Sequence, residues 1–111
     1  MKKLIVVGML AAMPVHAEWK DGNKLYSELT ENDPTFIAPI AALGYVQGVA
    51  DVYQKTQLCI PDNVQARQAA DVVKNYLYAN PQLRQYAADS LVLSALKAVW
   101  PCASSSKRSN L

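Results

Sequence analysis

The sequence predicts a small all-α protein, a four-helix bundle stapled by one disulfide. Three observations predict it. Apolar residues recur at spacings of three and four, and no segment alternates with period two. Proline, Asn and Asp cut the chain into four such stretches. The two cysteines, Cys59 and Cys102, lie close to Pro61 and Pro101, where regular structure should stop.

The first predicted helix runs from about Asp21 to Asn32, with Leu25 and Leu29 four apart and Asp21 placed to cap it. Asn32-Asp33-Pro34 is a turn signal. The second runs from about Ile37 to Gln57, with Pro39 confined to its first turn. Ile37, Ala41, Gly44, Tyr45, Gly48, Val49 and Val52 would share one face. Each interior glycine weakens a helix by about 1 kcal/mol relative to alanine. Gly44 and Gly48 therefore predict a close approach, either helix packing inside the domain or a dimer interface.

The third helix should start after Pro61, capped by Asp62 or Asn63, with "DNVQ" as a loose capping box, and end near Ala79. Val64, Ala69, Val72, Val73, Tyr76 and Leu77 form its apolar stripe. Asn80 and Pro81 then predict the cap and first residue of a fourth helix that stops at Pro101. Leu83, Ala87, Leu91, Ala95 and Ala98 would be buried, with Val92, Leu96 and Val99 widening the stripe. The short link "YANPQ" favours antiparallel neighbours. The fourth helix then returns its end to the start of the third, which brings Cys59 and Cys102 together. The spacing is not Cys-x-x-Cys, so a structural bridge is the reading rather than a redox pair.

Residues 1–17 have the layout of a secretory signal peptide: Lys2 and Lys3, an apolar run from Leu4 to Met13, and Val15-His16-Ala17 as the cleavage pattern. Cleavage after Ala17 would leave a periplasmic domain over 18–102 and a polar tail over 103–111, read as disordered. Removing Lys2 and Lys3 from 11 basic residues leaves nine, equal to the 9 acidic ones. A neutral chain argues against nucleic acid as a partner. The single histidine, His16, leaves with the leader. Ser-His and Cys-His chemistry is then excluded, and no catalytic residue, cofactor or metal site is read. Asp51, isolated in an apolar helix, reads as a solvated or hydrogen-bonded carboxylate rather than a catalytic one.

"LGYVQGVAD" (43–51), "CIPDNV" (59–64), "DVVKNYLYANPQLR" (71–84) and "AADSLVLSALKAVWPC" (87–102) follow one another in an order that resembles the Rap/Tai family of immunity proteins. The resemblance covers roughly Asn23 to Cys102. It implies a small exported helical protein that neutralises a peptidoglycan amidase delivered by type VI secretion, by insertion into the toxin's cleft or coverage of it. It also implies that a homodimer is an open alternative for any exposed patch. Many members carry a further cysteine pair, whose positions match Leu29 and Ala42 here. Two surfaces are candidates for the toxin: the loop from Gln54 to Asn63, and the turn bearing Tyr78, Asn80, Gln82, Arg84, Gln85 and Tyr86. In the bland alternative, Tyr76 and Tyr86 are core residues and Arg84 is solvated. The rival function is a periplasmic acid-stress chaperone of the HdeA kind, disfavoured by the missing histidines.

Overall fold

The computed structural model describes residues 19–103. Residues 1–18 and 104–111, on which the expectations of a signal peptide and a disordered tail fall, lie outside the described residues. The described chain forms four helices, as predicted: α1 (Gly22–Thr30), α2 (Ile37–Tyr53), α3 (Ala66–Ala79) and α4 (Ala88–Val99), with a 3-10 turn at Pro81–Leu83. Every helix contributes to one core: Leu25, then Ala42 and Val46, then Val73 and Leu77, then Ala88, Val92 and Leu96, all fully buried. Leu58, from the loop before α3, completes it. Ala42 sits in that core and Leu29 packs against it.

The disulfide joins Cys59 to Cys102 with Cα atoms 4.8 Å apart. Backbone reinforces it, because Cys59 N–H donates to the Trp100 carbonyl at 3.0 Å. The end of α4 is thereby fastened to the loop that precedes α3.

The helix boundaries correct the sequence reading in three places. α2 stops at Tyr53 rather than Gln57. There the Tyr53 carbonyl accepts from Gln57 and Leu58 N–H, Lys55 takes a left-handed φ of 73°, and the chain turns to bury Leu58. α3 is capped by Gln65, not Asp62 or Asn63, because Pro61–Val64 closes as a separate turn. Gln65 and Gln68 then exchange side-chain and backbone hydrogen bonds in a capping box. α4 begins at Ala88 rather than at Pro81. The backbone in between pairs with the start of α1: Gly22 N–H donates to Tyr86 O at 3.0 Å, Asn23 N–H to Arg84 O at 2.9 Å, and Ala88 N–H to Lys20 O at 2.9 Å. Ala88 therefore takes the buried place expected of Ala87, while Ala87, Ala98 and Val99 are exposed.

On α2 the choice left open by the sequence is narrowed. Its buried side is Ala42, Val46 and the half-buried Val49 and Tyr53. Ile37, Gly44, Gly48 and Val52 face outward. A methyl group built on Gly44 or Gly48 would meet nothing within 4 Å, so neither glycine serves packing inside the domain. The start of α2 is satisfied by Asp33. Its carboxylate accepts from Thr35 Oγ1 at 2.7 Å, Thr35 N–H at 2.9 Å and Ala38 N–H at 3.2 Å. The Thr35 hydroxyl bond, then these backbone bonds, hold the Asp33 carboxyl below its ordinary value.

Gly22 is where the close approach occurs. A Cβ there would stand 2.8 Å from both Arg84 Cα and the Arg84 carbonyl oxygen, and 2.5 Å from Leu91 Cδ1. Helix propensity alone makes Gly→Ala favourable. Here backbone would have to move, so Gly22→Ala is expected to destabilise by about 1–3 kcal/mol, the usual range for overpacking. Urea unfolding reads the sign directly, and a stabilised variant would contradict this geometry.

Candidate functional site

The connection between α3 and α4 is built outward from its backbone. Helix α3 ends with carbonyls that lack partners within the helix. Two of the six residues singled out from sequence supply them. Asn80 Nδ2 donates to Tyr76 O at 2.9 Å. Arg84 Nε donates to Leu77 O at 2.8 Å, and Nη2 reaches Tyr78 O at 3.4 Å. The guanidinium also stacks over the Tyr26 ring, 4.0 Å from its centroid. A cation at a helix C-terminus is favoured by the helix dipole as well. Asn80 and Arg84 are therefore framework residues, and Arg84 is half-buried rather than solvated.

The other four stand outside that frame. Tyr78 is 71% exposed and Tyr86 55%, while Gln82 and Gln85 are also exposed. Gln82 donates to the Asn80 side chain at 3.3 Å. Tyr76, by contrast, packs against the core. The bland alternative thus holds for Tyr76 and fails for Tyr86. Two tyrosines, each with an apolar body and a polar tip, project from a backbone pinned by α1 and by Arg84. Such side chains lose little conformational freedom on binding and are common anchors in interfaces.

The second candidate, the Gln54–Asn63 loop, is equally fixed. Gln54 Nε2 donates to Ile60 O at 2.7 Å while Ile60 N–H donates to Gln54 Oε1 at 3.1 Å. Lys55 N–H donates to Leu58 O at 2.6 Å. Beside it lies a groove of about 190 Å³ between the end of α2 and the start of α3. Asp51 and Asp62 both line it. The fold, rather than any sequence spacing, places both carboxylates on this one groove.

A third feature had no sequence signal. Phe36 holds a left-handed φ of 62° and is 65% exposed, next to Ile37 and Ile40, 69% and 64% exposed. With Gly44, Gly48 and Val52 they give α2 a largely apolar outward face, which the exposed Asp51 and Gln47 interrupt. A strained, exposed aromatic is an unusual combination that clusters at functional positions. Among the described residues, no group of His, Cys, Asp and Glu is arranged to hold a metal ion, and no helix is long and apolar enough to cross a membrane.

Fold and surface together define a small disulfide-closed helical scaffold that presents aromatic and apolar side chains on a rigid frame, a binding protein. The family model of the Rap1a immunity proteins matches residues 21–102, nearly all of the described chain, and the protein belongs to that family. It is not an enzyme family. A comparison with curated proteins finds no match.

Proposed function

We propose that this protein is a periplasmic immunity protein, exported by a leader cleaved after Ala17. It binds a type VI secretion peptidoglycan amidase effector and covers the amidase's active-site cleft. Family membership supports a toxin effector as the partner, and favours it over the acid-stress chaperone reading. One observation carries the binding surface. Tyr78, at the end of α3, and Tyr86, in the connection to α4, are exposed beside Asn80 and Arg84, which are spent holding the backbone still. A blocking surface needs no catalytic group, only anchors that arrive preorganised.

Co-expression of the full chain with periplasm-directed amidase effectors tests this, with host survival as the readout. Protection is expected against a cognate amidase and should be lost when the export leader is deleted. Tyr78→Ala/Tyr86→Ala should weaken binding by about 800-fold, since two anchors contributing about 2 kcal/mol each sum to about 4 kcal/mol. Its melting temperature should stay put, as both side chains are exposed in the free protein. Failure to protect against any amidase overturns the assignment.

The same reading gives the outward face of α2 to a second copy of the chain. Alanine at Gly44 and Gly48 should stabilise the monomer by about 1 kcal/mol per site. It should also weaken the dimer, because added methyls separate helices that touch through glycine. Sedimentation equilibrium separates the two effects, and a wild-type chain that stays monomeric at high micromolar concentration removes the dimer.

A further inference from the structure

The groups that hold the α3–α4 connection in place come in part from α1, a helix that carries neither exposed tyrosine. At its start α1 presents Gly22 and, one turn on, Tyr26, four positions apart on one helix face. Gly22 admits the backbone of the connection. Its N–H donates to Tyr86 O at 3.0 Å, Asn23 N–H donates to Arg84 O at 2.9 Å, and a Cβ at Gly22 would stand 2.8 Å from Arg84 Cα. Tyr26 receives the other end of the same residue, with the guanidinium carbon 4.0 Å from its ring centroid. The ring is half-buried and packs against the core, so it is a fixed platform.

Arg84 is held without a carboxylate. Among the described residues the ion pair that forms is Lys20–Glu28. The half-buried guanidinium has instead Leu77 O, Tyr78 O and the Tyr26 ring face. A ring face attracts a cation more strongly as water is excluded from the pair. Without the ring, the guanidinium would gain by turning toward water, and its bonds to the two carbonyls would be given up. Both carbonyls lie in the last turn of α3, and one is that of Tyr78 itself. On its other side Arg84 is two residues from Tyr86. One side chain thus ties the two exposed tyrosines to α1, and Tyr26 keeps that side chain in place.

We infer that Tyr26 is a positioning residue for the binding surface: it holds Arg84 against α1 and thereby fixes Tyr78 and Tyr86 for a partner that it does not itself touch. The partner rests on the immunity reading above; the ordering of the free chain does not. Three variants of the full, disulfide-bonded chain test it. Tyr26→Leu removes the ring and keeps an apolar side chain, Tyr26→Phe keeps the ring and drops the hydroxyl, and Arg84→Lys keeps the charge and loses the fork. Affinity for the cognate amidase is titrated at a temperature where circular dichroism shows every variant folded. Hydrogen exchange of the Gly22 and Asn23 amides is followed in the free chain. Tyr26→Leu should weaken binding about fivefold, the loss of one partly desolvated cation–ring contact. Arg84→Lys should do the same, and the two together should lose little more than either alone. Both should speed exchange at Gly22 and Asn23, whereas Tyr26→Phe should match the wild type in affinity and exchange. A purely structural role would lower the melting temperature and leave the affinity of the folded chain unchanged, which overturns the inference. Equal losses in Tyr26→Phe and Tyr26→Leu would place the hydroxyl on the partner and overturn it as well. A chain that binds no amidase loses the immunity reading, and exchange then decides alone: faster in Tyr26→Leu but not Tyr26→Phe keeps the positioning role, and no change removes it.

Discussion

Replacing Cys59 and Cys102 together by serine is expected to lower the unfolding free energy by about 4 kcal/mol, from the loop-closure entropy of a 43-residue separation. For a domain this small the loss is a large share of a typical total of about 5–15 kcal/mol. Size explains the dependence, since a short chain buries too little surface to be robust without a crosslink. Position adds to it. The bond fastens the exit of α4 to the loop ahead of α3, and the Cys59–Trp100 backbone bond spans the same joint. Urea unfolding of the oxidised protein and the double serine variant gives the difference. A change below about 1 kcal/mol would mean that the packing holds this joint unaided.

Leu58→Ala should be nearly as damaging, by about 2–5 kcal/mol, the range for deleting a fully buried leucine. Leu58 has no exposed surface although it belongs to no helix. It is the apolar plug that lets the α2–α3 loop fold back on the bundle, and it lies next to Cys59 in the chain. The two effects should therefore be coupled rather than additive. In the double serine background, Leu58→Ala is expected to lose less than it does in the oxidised protein. Strict additivity would show that plug and crosslink act on separate parts of the fold.

What the residues revealed in advance follows physical lines. Local signals with one dominant cause read well. Asp21 was placed to cap α1, and its side chain accepts from Lys24 N–H at 2.8 Å. The end of α3 at Ala79 and the Cys59–Cys102 bond were legible from proline and cysteine placement. The misses come from tertiary competition. Asn80-Pro81 is a sound helix start, yet it yields only a 3-10 turn, because Arg84 and Tyr86 hydrogen-bond to the first residues of α1. The outward face of α2 was left open between packing inside the domain and a dimer interface, because apolar periodicity cannot tell a face buried in the domain from one left uncovered. Hydrophobic on nearly every side, α2 gave little directional signal.

The candidate site was legible to about the same depth. Exposed tyrosines at the α3–α4 turn were among the readings, but the sequence could not assign Arg84 to the frame, which requires Tyr26 beneath it. The shared groove of Asp51 and Asp62 and the strained Phe36 are products of the fold, with no short-range signature in the chain.

The most direct measurement is calorimetric titration of the oxidised protein with purified amidase effectors at neutral pH, paired with a peptidoglycan hydrolysis assay. The expected result is a Kd of about 1 nM or tighter for one effector and loss of its hydrolysis at equal concentration. Tight binding that leaves hydrolysis intact, or no binding to any effector, would contradict a protein that works by covering the cleft.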